Sequence, residues 1–215
     1  MSKESNVLSF YVLCNKLKNV IRTGWLDWKV QRERIESVAE HIYGVQMLAL
    51  AIQSEYHYDI DLRRVIMMIA VHELEEIEIG DLTQFQISKE EKKIIGHLAV
   101  EKVLSSLSSS EEIKGLIYEF DERKTNDALF AHFCDKLECD IQSKLYDEEG
   151  CVDLNHQEGN NTCDHPTVKR LLEEGCSFSD MWMRFGLEKY NYDDNFESIS
   201  NYARTHKLIN TKNKS

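Results

Sequence analysis

Proline is almost missing from this chain: Pro166 is the single one in 215 residues. Glycine is scarce as well, nine residues where average usage gives about fifteen. An all-β fold reverses direction every few residues and draws on both types to do so. The shortage excludes a sandwich or a barrel, and equally a collagen-like, Pro-rich or Gly/Ser-linker chain. No stretch of 18 apolar residues occurs, so no membrane-spanning helix is expected. Met1–Phe10 lacks a basic segment followed by an apolar run, so a secretory signal is not expected. Six cysteines, at 14, 134, 139, 151, 163 and 176, form no CxxC pair, which points to reduced thiols in a cytoplasmic protein. Positive charge is also in deficit: 26 Lys and Arg against 38 Asp and Glu give a net charge of −12. Such a surface repels a nucleic-acid polymer. A small phosphorylated ligand stays compatible, because it needs only a local positive site.

What is present is helical spacing, nearly throughout. Val7, Phe10, Tyr11, Leu13, Leu17 and Val20 form a first stripe, and the charged stretch 22–36 reads as a loop. Glu36 or Ser37 opens a second helix through Ile52, and Asp59 or Asp61 opens a third that runs on to Gly80. Ser88 with Glu91 three residues later is a capping box for a helix over about 89–106. Further helices are predicted over about 111–122, 126–146, 167–188 and 194–207. Residues 148–164 carry glycines and asparagines without periodicity and read as a long loop or lid, and the last eight residues as a frayed polar tail. The expectation is one all-α domain of seven or eight helices spanning 1–215, with its core at about 8–190.

The informative residues break the apolar pattern. His41 lies in register with Val45, Leu48 and Ile52, and His72 follows Val65 and Ile69 on an apolar face. Glu73 is beside it, Glu76 one turn on, and Asp81 follows Gly80. Asp135 sits among Ala131, Phe133, Cys134, Leu137 and Ile141. Burying such groups costs several kcal/mol, about 3–5, unless they pair or bind metal. One divalent cation shared by the histidines and carboxylates removes that cost. A single histidine on an apolar face is more often a hydrogen-bonded core residue, so the combination carries the argument. The run from His72 to Glu76 resembles a broken HExxH helix, but Glu76 stands where the second zinc-binding histidine belongs, which excludes a zincin. No GxSxG, GxGxxG or GxxxxGK[ST] is present.

The blocks LKNVIRTGW (17–25), ESVAEHIYGVQMLAL (36–50), VHELEEIEIGDLT (71–83), KEEKK (89–93), FCDKLECDIQSKLYD (133–147) and DHP (164–166) together resemble the HD-domain superfamily, in its 5'-deoxynucleotidase branch. The resemblance implies one divalent metal ion (Mn, Co, Zn, Fe, Ni or Mg) bound by His41, His72 and Asp135. Glu73 stands where the family has the aspartate of its eponymous pair, one methylene shorter, and is the expected fourth ligand. Glu76 matches a glutamate that activates water, and Asp81 a residue near the sugar and the leaving oxygen. Arg22 matches a phosphate-binding arginine. Trp25 resembles a tryptophan beside the sugar, although two extra residues stand between it and His41. A homodimer and a nucleoside monophosphate substrate are implied, with no nucleic-acid polymer and no membrane as partners.

The chemistry suits those roles. A divalent cation acidifies water and neutralises phosphate charge, a carboxylate accepts the proton, and an arginine grips phosphate oxygens in a bidentate way. Two alternatives stand beside this reading. The His-Glu pair favours a non-catalytic HD-fold protein that binds a nucleotide or a partner. Another HD phosphohydrolase, acting on cyclic nucleotides or guanosine tetraphosphate, requires more histidines in its dinuclear form, and His97 and His132 are the nearby candidates.

Overall fold

The computed structural model describes residues 2–209, so most of the expected polar tail, from 210 on, lies outside the described residues. The chain runs through α1 (Lys3–Cys14), a 3-10 turn (Asn15–Lys18), α2 (Thr23–Asp27), α3 (Val38–Tyr56), α4 (Leu62–Val71) and α5 (Glu76–Ile79). It continues through α6 (Lys89–Leu104), α7 (Glu111–Glu122), α8 (Asn126–Glu148), a second 3-10 turn (Asn161–Asp164), α9 (Pro166–Glu173), α10 (Phe178–Lys189) and α11 (Asp194–Thr205). No strand forms among the described residues; a lone antiparallel bridge joins Ile21 to Ser37. The fold is all-α, as the spacing predicts. No helix among the described residues is long and apolar enough to cross a membrane.

The helix starts follow their capping residues. Ser37 and Glu40 close a capping box on α3, and Ser88 and Glu91 close the predicted one on α6. Asp61, rather than Asp59, caps α4 through the Arg63 and Arg64 amides. Pro166 opens α9, where its missing N–H is no loss.

Three boundaries differ from expectation. The stretch read as a loop at 22–36 contains α2, too short to show a period. The helix expected over 167–188 is two helices. Gly175, at φ +83°, ends α9 in the left-handed region that favours glycine, and Ser177 caps α10. Apolar spacing continues across that break, which hid it. The third helix stops at Val71 instead of running to Gly80. Over 72–78 the chain turns through i→i+3 bonds: Leu74 to Val71, Glu76 to Glu73, Ile77 to Leu74 and Glu78 to Glu75. His72 contributes by donating from its ring to the Ile69 carbonyl, a local side-chain bond that competes with the helical ladder.

The described chain forms two compact units, one comprising residues up to Gly24 with Glu36–Cys134, the other Trp25–Ile35 with Asp135 onward. The first has an aliphatic core of Leu17, Val38, Leu74, Ile77, Val100, Val103, Leu104 and Ile117. Each such side chain contributes about 1.5–3 kcal/mol when fully buried. The second is built on aromatics. Trp25 meets Tyr146 edge-on at 5.3 Å and Trp182 at 5.0 Å, and Trp28 meets Phe178 at 5.2 Å. Within this unit the long loop is tied down. Gln157 donates to the Trp28 carbonyl, Lys29 to the carbonyls of His156 and Glu158, and the Gln31 amide to Cys151.

Candidate metal centre

The α3 face that carries Val38, Val45, Ala49 and Ile52 into the core also carries His41, which is fully buried. His72 sits where α4 ends, buried as well. Its Nδ1 lies 2.7 Å from the Ile69 carbonyl oxygen. A carbonyl only accepts, so Nδ1 carries a proton and Nε2 is the ring nitrogen left to face a cation. The tight turn that follows places Glu73 beside this ring, with Oε1 3.5 Å from His72 Nε2. Asp135, on α8, is 2% exposed and pairs with Lys136 at 2.8 Å.

One donor atom from each of His41, His72, Glu73 and Asp135 lies within 4.8 Å of the others. Donors about 2.1 Å from one tetrahedral cation stand about 3.4 Å apart, so the four side chains close the shell by drawing in around a cation. Two imidazoles and two carboxylates fit a divalent first-row ion, and suit Mn, Fe, Co, Ni or Zn better than Mg. Glu73, one methylene longer than aspartate, is thus among the donors that could hold a cation. Glu138 and Cys139, which no sequence argument singled out, form a second possible group with His41.

The remaining expected residues on the first unit gather around Glu73. Arg22 is fixed by its backbone: its amide donates to the Glu36 carbonyl, and Val38 donates back to Val20. Its Nη1 lies 3.5 Å from Glu73 Oε1 and its Nε 3.9 Å from Asp81 Oδ2. Asp81 follows Gly80, whose φ of +74° makes the bend, and its Oδ2 accepts the Thr23 amide at 2.6 Å. Glu76, on α5, is 1% exposed; Lys92 Nζ lies 3.4 Å from its Oε1, while its Oε2 is buried without a hydrogen-bond partner among the described residues.

Electrostatics separate the neighbouring carboxyls. Burial pushes Glu73 up, but His72, Lys92 and Arg22 outweigh it and hold the group at about 2. Burial raises Glu76 well above the usual carboxylate range, helped by the charges of Glu73 and Asp81 and opposed by Lys92. Glu75 is pushed up to about 8, by burial first and by Glu73 second. Lys92 also donates to the Leu82 carbonyl at 3.0 Å, so it binds the turn after α5 to α6. Lys92 lies in a charged run, which masks it in the sequence. The signal was its register: Gly96, Ala99, Val100 and Val103, at +4, +7, +8 and +11, are all buried.

Within the second unit Trp25 packs on Tyr146 and Trp182 and is 2% exposed. His97 pairs with Asp121 at 2.7 Å and stacks on Tyr118. His132 is buried beside Phe120 and Phe133. Among the described residues, neither histidine joins a group of potential metal donors.

Comparison with known proteins follows the same lines. Residues 14–170 match a family model described as HD domain. A 5'-deoxynucleotidase HDDC2 of Dictyostelium discoideum is 35% identical over 153 residues, which cover 67% of this chain and 80% of the relative. The 5'-deoxynucleotidase hdd1 of Schizosaccharomyces pombe is 29% identical over 183 residues, covering 80% and 90%. Among solved structures, the PH0347 protein of Pyrococcus horikoshii OT3 superposes with a TM-score of 0.63 at 23% identity, covering 92% of this chain and 98% of that one. A predicted metal-dependent phosphohydrolase of Magnetospirillum magnetotacticum MS-1 gives 0.58 at 24% identity, covering 94% and 96%. Both structures speak for the fold alone.

Proposed function

The chain belongs to the HD-domain family, and from that premise we infer that it is a metal-dependent phosphohydrolase that releases phosphate from deoxyribonucleoside 5'-monophosphates. The observation that carries the reading is the convergence of four donor atoms from His41, His72, Glu73 and Asp135 within 4.8 Å. His41, His72 and Asp135 hold the cation, with Glu73 as fourth ligand. A divalent cation there lowers the pKa of water and offsets charge on a phosphate oxygen. Phosphomonoester hydrolysis is among the slowest uncatalysed reactions, so the site must stabilise much developing charge.

The chain's own residues supply the rest. Arg22 grips the non-bridging phosphate oxygens, as a planar fork of donors can. Asp81 keeps that arginine and the Thr23 backbone in place and faces the leaving oxygen. Glu76 Oε2 accepts the proton of the attacking water, while Lys92 holds the other oxygen of the same carboxyl. The whole chain works as one HD-type domain in this reading. A homodimer goes with it, supported by exposed Val7, Leu8, Tyr11 and Val12 on α1 and Ile94 and Leu98 on α6; light scattering that finds a monomer at micromolar concentration refutes it. A cytoplasmic location suits Cys14, Cys151, Cys163 and Cys176, which carry no disulfide.

The test is elemental analysis of the purified chain together with a panel of nucleoside 5'-monophosphates, with Mn, Co, Zn or Mg supplied. The expected outcome is metal-dependent phosphate release. His72→Ala should weaken cation binding by at least about 100-fold and lower the melting temperature of the metal-loaded protein. Should wild type and Glu73→Asp both fail to hydrolyse any deoxyribonucleotide, the nucleotidase reading falls and a non-catalytic binding role replaces it.

A further inference from the structure

One oxygen, Glu73 Oε1, stands 3.5 Å from His72 Nε2 and 3.5 Å from Arg22 Nη1. In the function proposed above, the first nitrogen faces the cation and the second the phosphate. We propose that Glu73 couples the two binding events: in the cation-free chain its charge is held by Arg22, and cation binding draws Oε1 to the metal side and releases the guanidinium for a phosphate. The coupling rests on the roles assigned there to Arg22 and Glu73.

The reach of the side chain makes this possible. Glutamate extends about 1.5 Å further than the aspartate of the family pattern, one C–C bond. That length lets a single oxygen lie between the imidazole and the guanidinium, where a shorter carboxyl would retract from Arg22. Both partners are well covered, with side chains 13% and 12% exposed, so solvent screens their attraction weakly. A doubly charged ion at a bonding distance of about 2.1 Å outcompetes a guanidinium at 3.5 Å for the same oxygen. Arg22 keeps its place when released, because its Nε still faces Asp81 and Asp81 is anchored by the Thr23 amide. Linkage is reciprocal, so a bound phosphate that occupies Arg22 also tightens the cation. The result is ordered binding, cation first, with an empty site that is poor at capturing anions.

The decisive measurement is a double-mutant cycle on Mn²⁺ affinity, by calorimetry on the full chain. Arg22→Gln should tighten Mn²⁺ about tenfold with Glu73 present, and by less than about threefold in the Glu73→Asp background. Equal factors in the two backgrounds overturn the coupling. Should Arg22→Gln fail to fold, a second measurement decides: after chelation, Glu73→Asp should bind inorganic phosphate at least about fivefold more tightly than wild type. Equal phosphate affinity overturns the coupling as well. Mn²⁺ that binds through His72 with an additive cycle defeats the coupling alone. A wild type that binds Mn²⁺ no better than His72→Ala defeats the metal centre and the coupling together.

Discussion

Glu76 and Asp140 are two buried carboxyls in two units, each about 1% exposed, and they are treated differently. In the first unit Glu76 stands in a field of formal charge, with Lys92 on one oxygen, Glu73 and Asp81 acting on it, and its second oxygen unsatisfied. In the second unit Asp140 is pushed well above the usual range by burial, opposed by the Tyr192 hydroxyl that donates to it at 3.2 Å and by Lys136. The backbone makes room for it: a Cβ at Gly186 would stand 2.5 Å from one carboxyl oxygen and 3.0 Å from the other. A carboxyl left with an unsatisfied oxygen is poised to exchange protons with a ligand, whereas one enclosed by a hydroxyl and a glycine is a fixed part of the core. In the function proposed above, the first arrangement sacrifices stability for chemistry and the second does the reverse.

The largest effect expected from breaking this contrast is kinetic. Glu76→Gln should lower kcat by about 10²–10⁴ with KM nearly unchanged, since a general base acts in the transition state. Its melting temperature should stay or rise, and a drop of several degrees would place Glu76 with the structural carboxyls. Next is Gly186→Ala, which forces a methyl against the enclosed Asp140 and should cost about 1–3 kcal/mol in denaturant unfolding. Unchanged stability would show that the carboxyl is free to move.

The smallest effect is a pH trend at Asp140. A carboxyl whose folded pKa is raised contributes stability below its unfolded pKa, about 3.9, and loses it as pH rises toward the folded value. Asp140→Asn removes that dependence. Relative to the variant, wild type should lose melting temperature as pH rises from 4, and parallel curves from pH 4 to 8 would show that Asp140 does not titrate differently on folding.

His41, His72 and Asp135 were legible because each sits at helical spacing from apolar neighbours, where a charge or an imidazole is conspicuous. Lys92 and Asp140 share that kind of register but are masked, one by a run of charges and the other by the more conspicuous Asp135. The stop at Val71 was not legible, because backbone turns and the His72 ring bond create it and neither leaves a period. The 51-residue separation of Arg22 and Glu73 hid the most consequential contact of all, since nothing local relates the two.

The bridge between Ile21 and Ser37 turns the segment from 22 to 36 into a loop closed at its neck, with Arg22 on one side and the start of α3 on the other. Chain added inside a closed loop does not displace what lies outside the neck. Two more residues in a loop of this size cost on the order of 0.1 kcal/mol of closure entropy. The segment is therefore a place where added residues would leave Arg22 and His41 in position. Length variation there leaves the spacing of the chemical groups untouched.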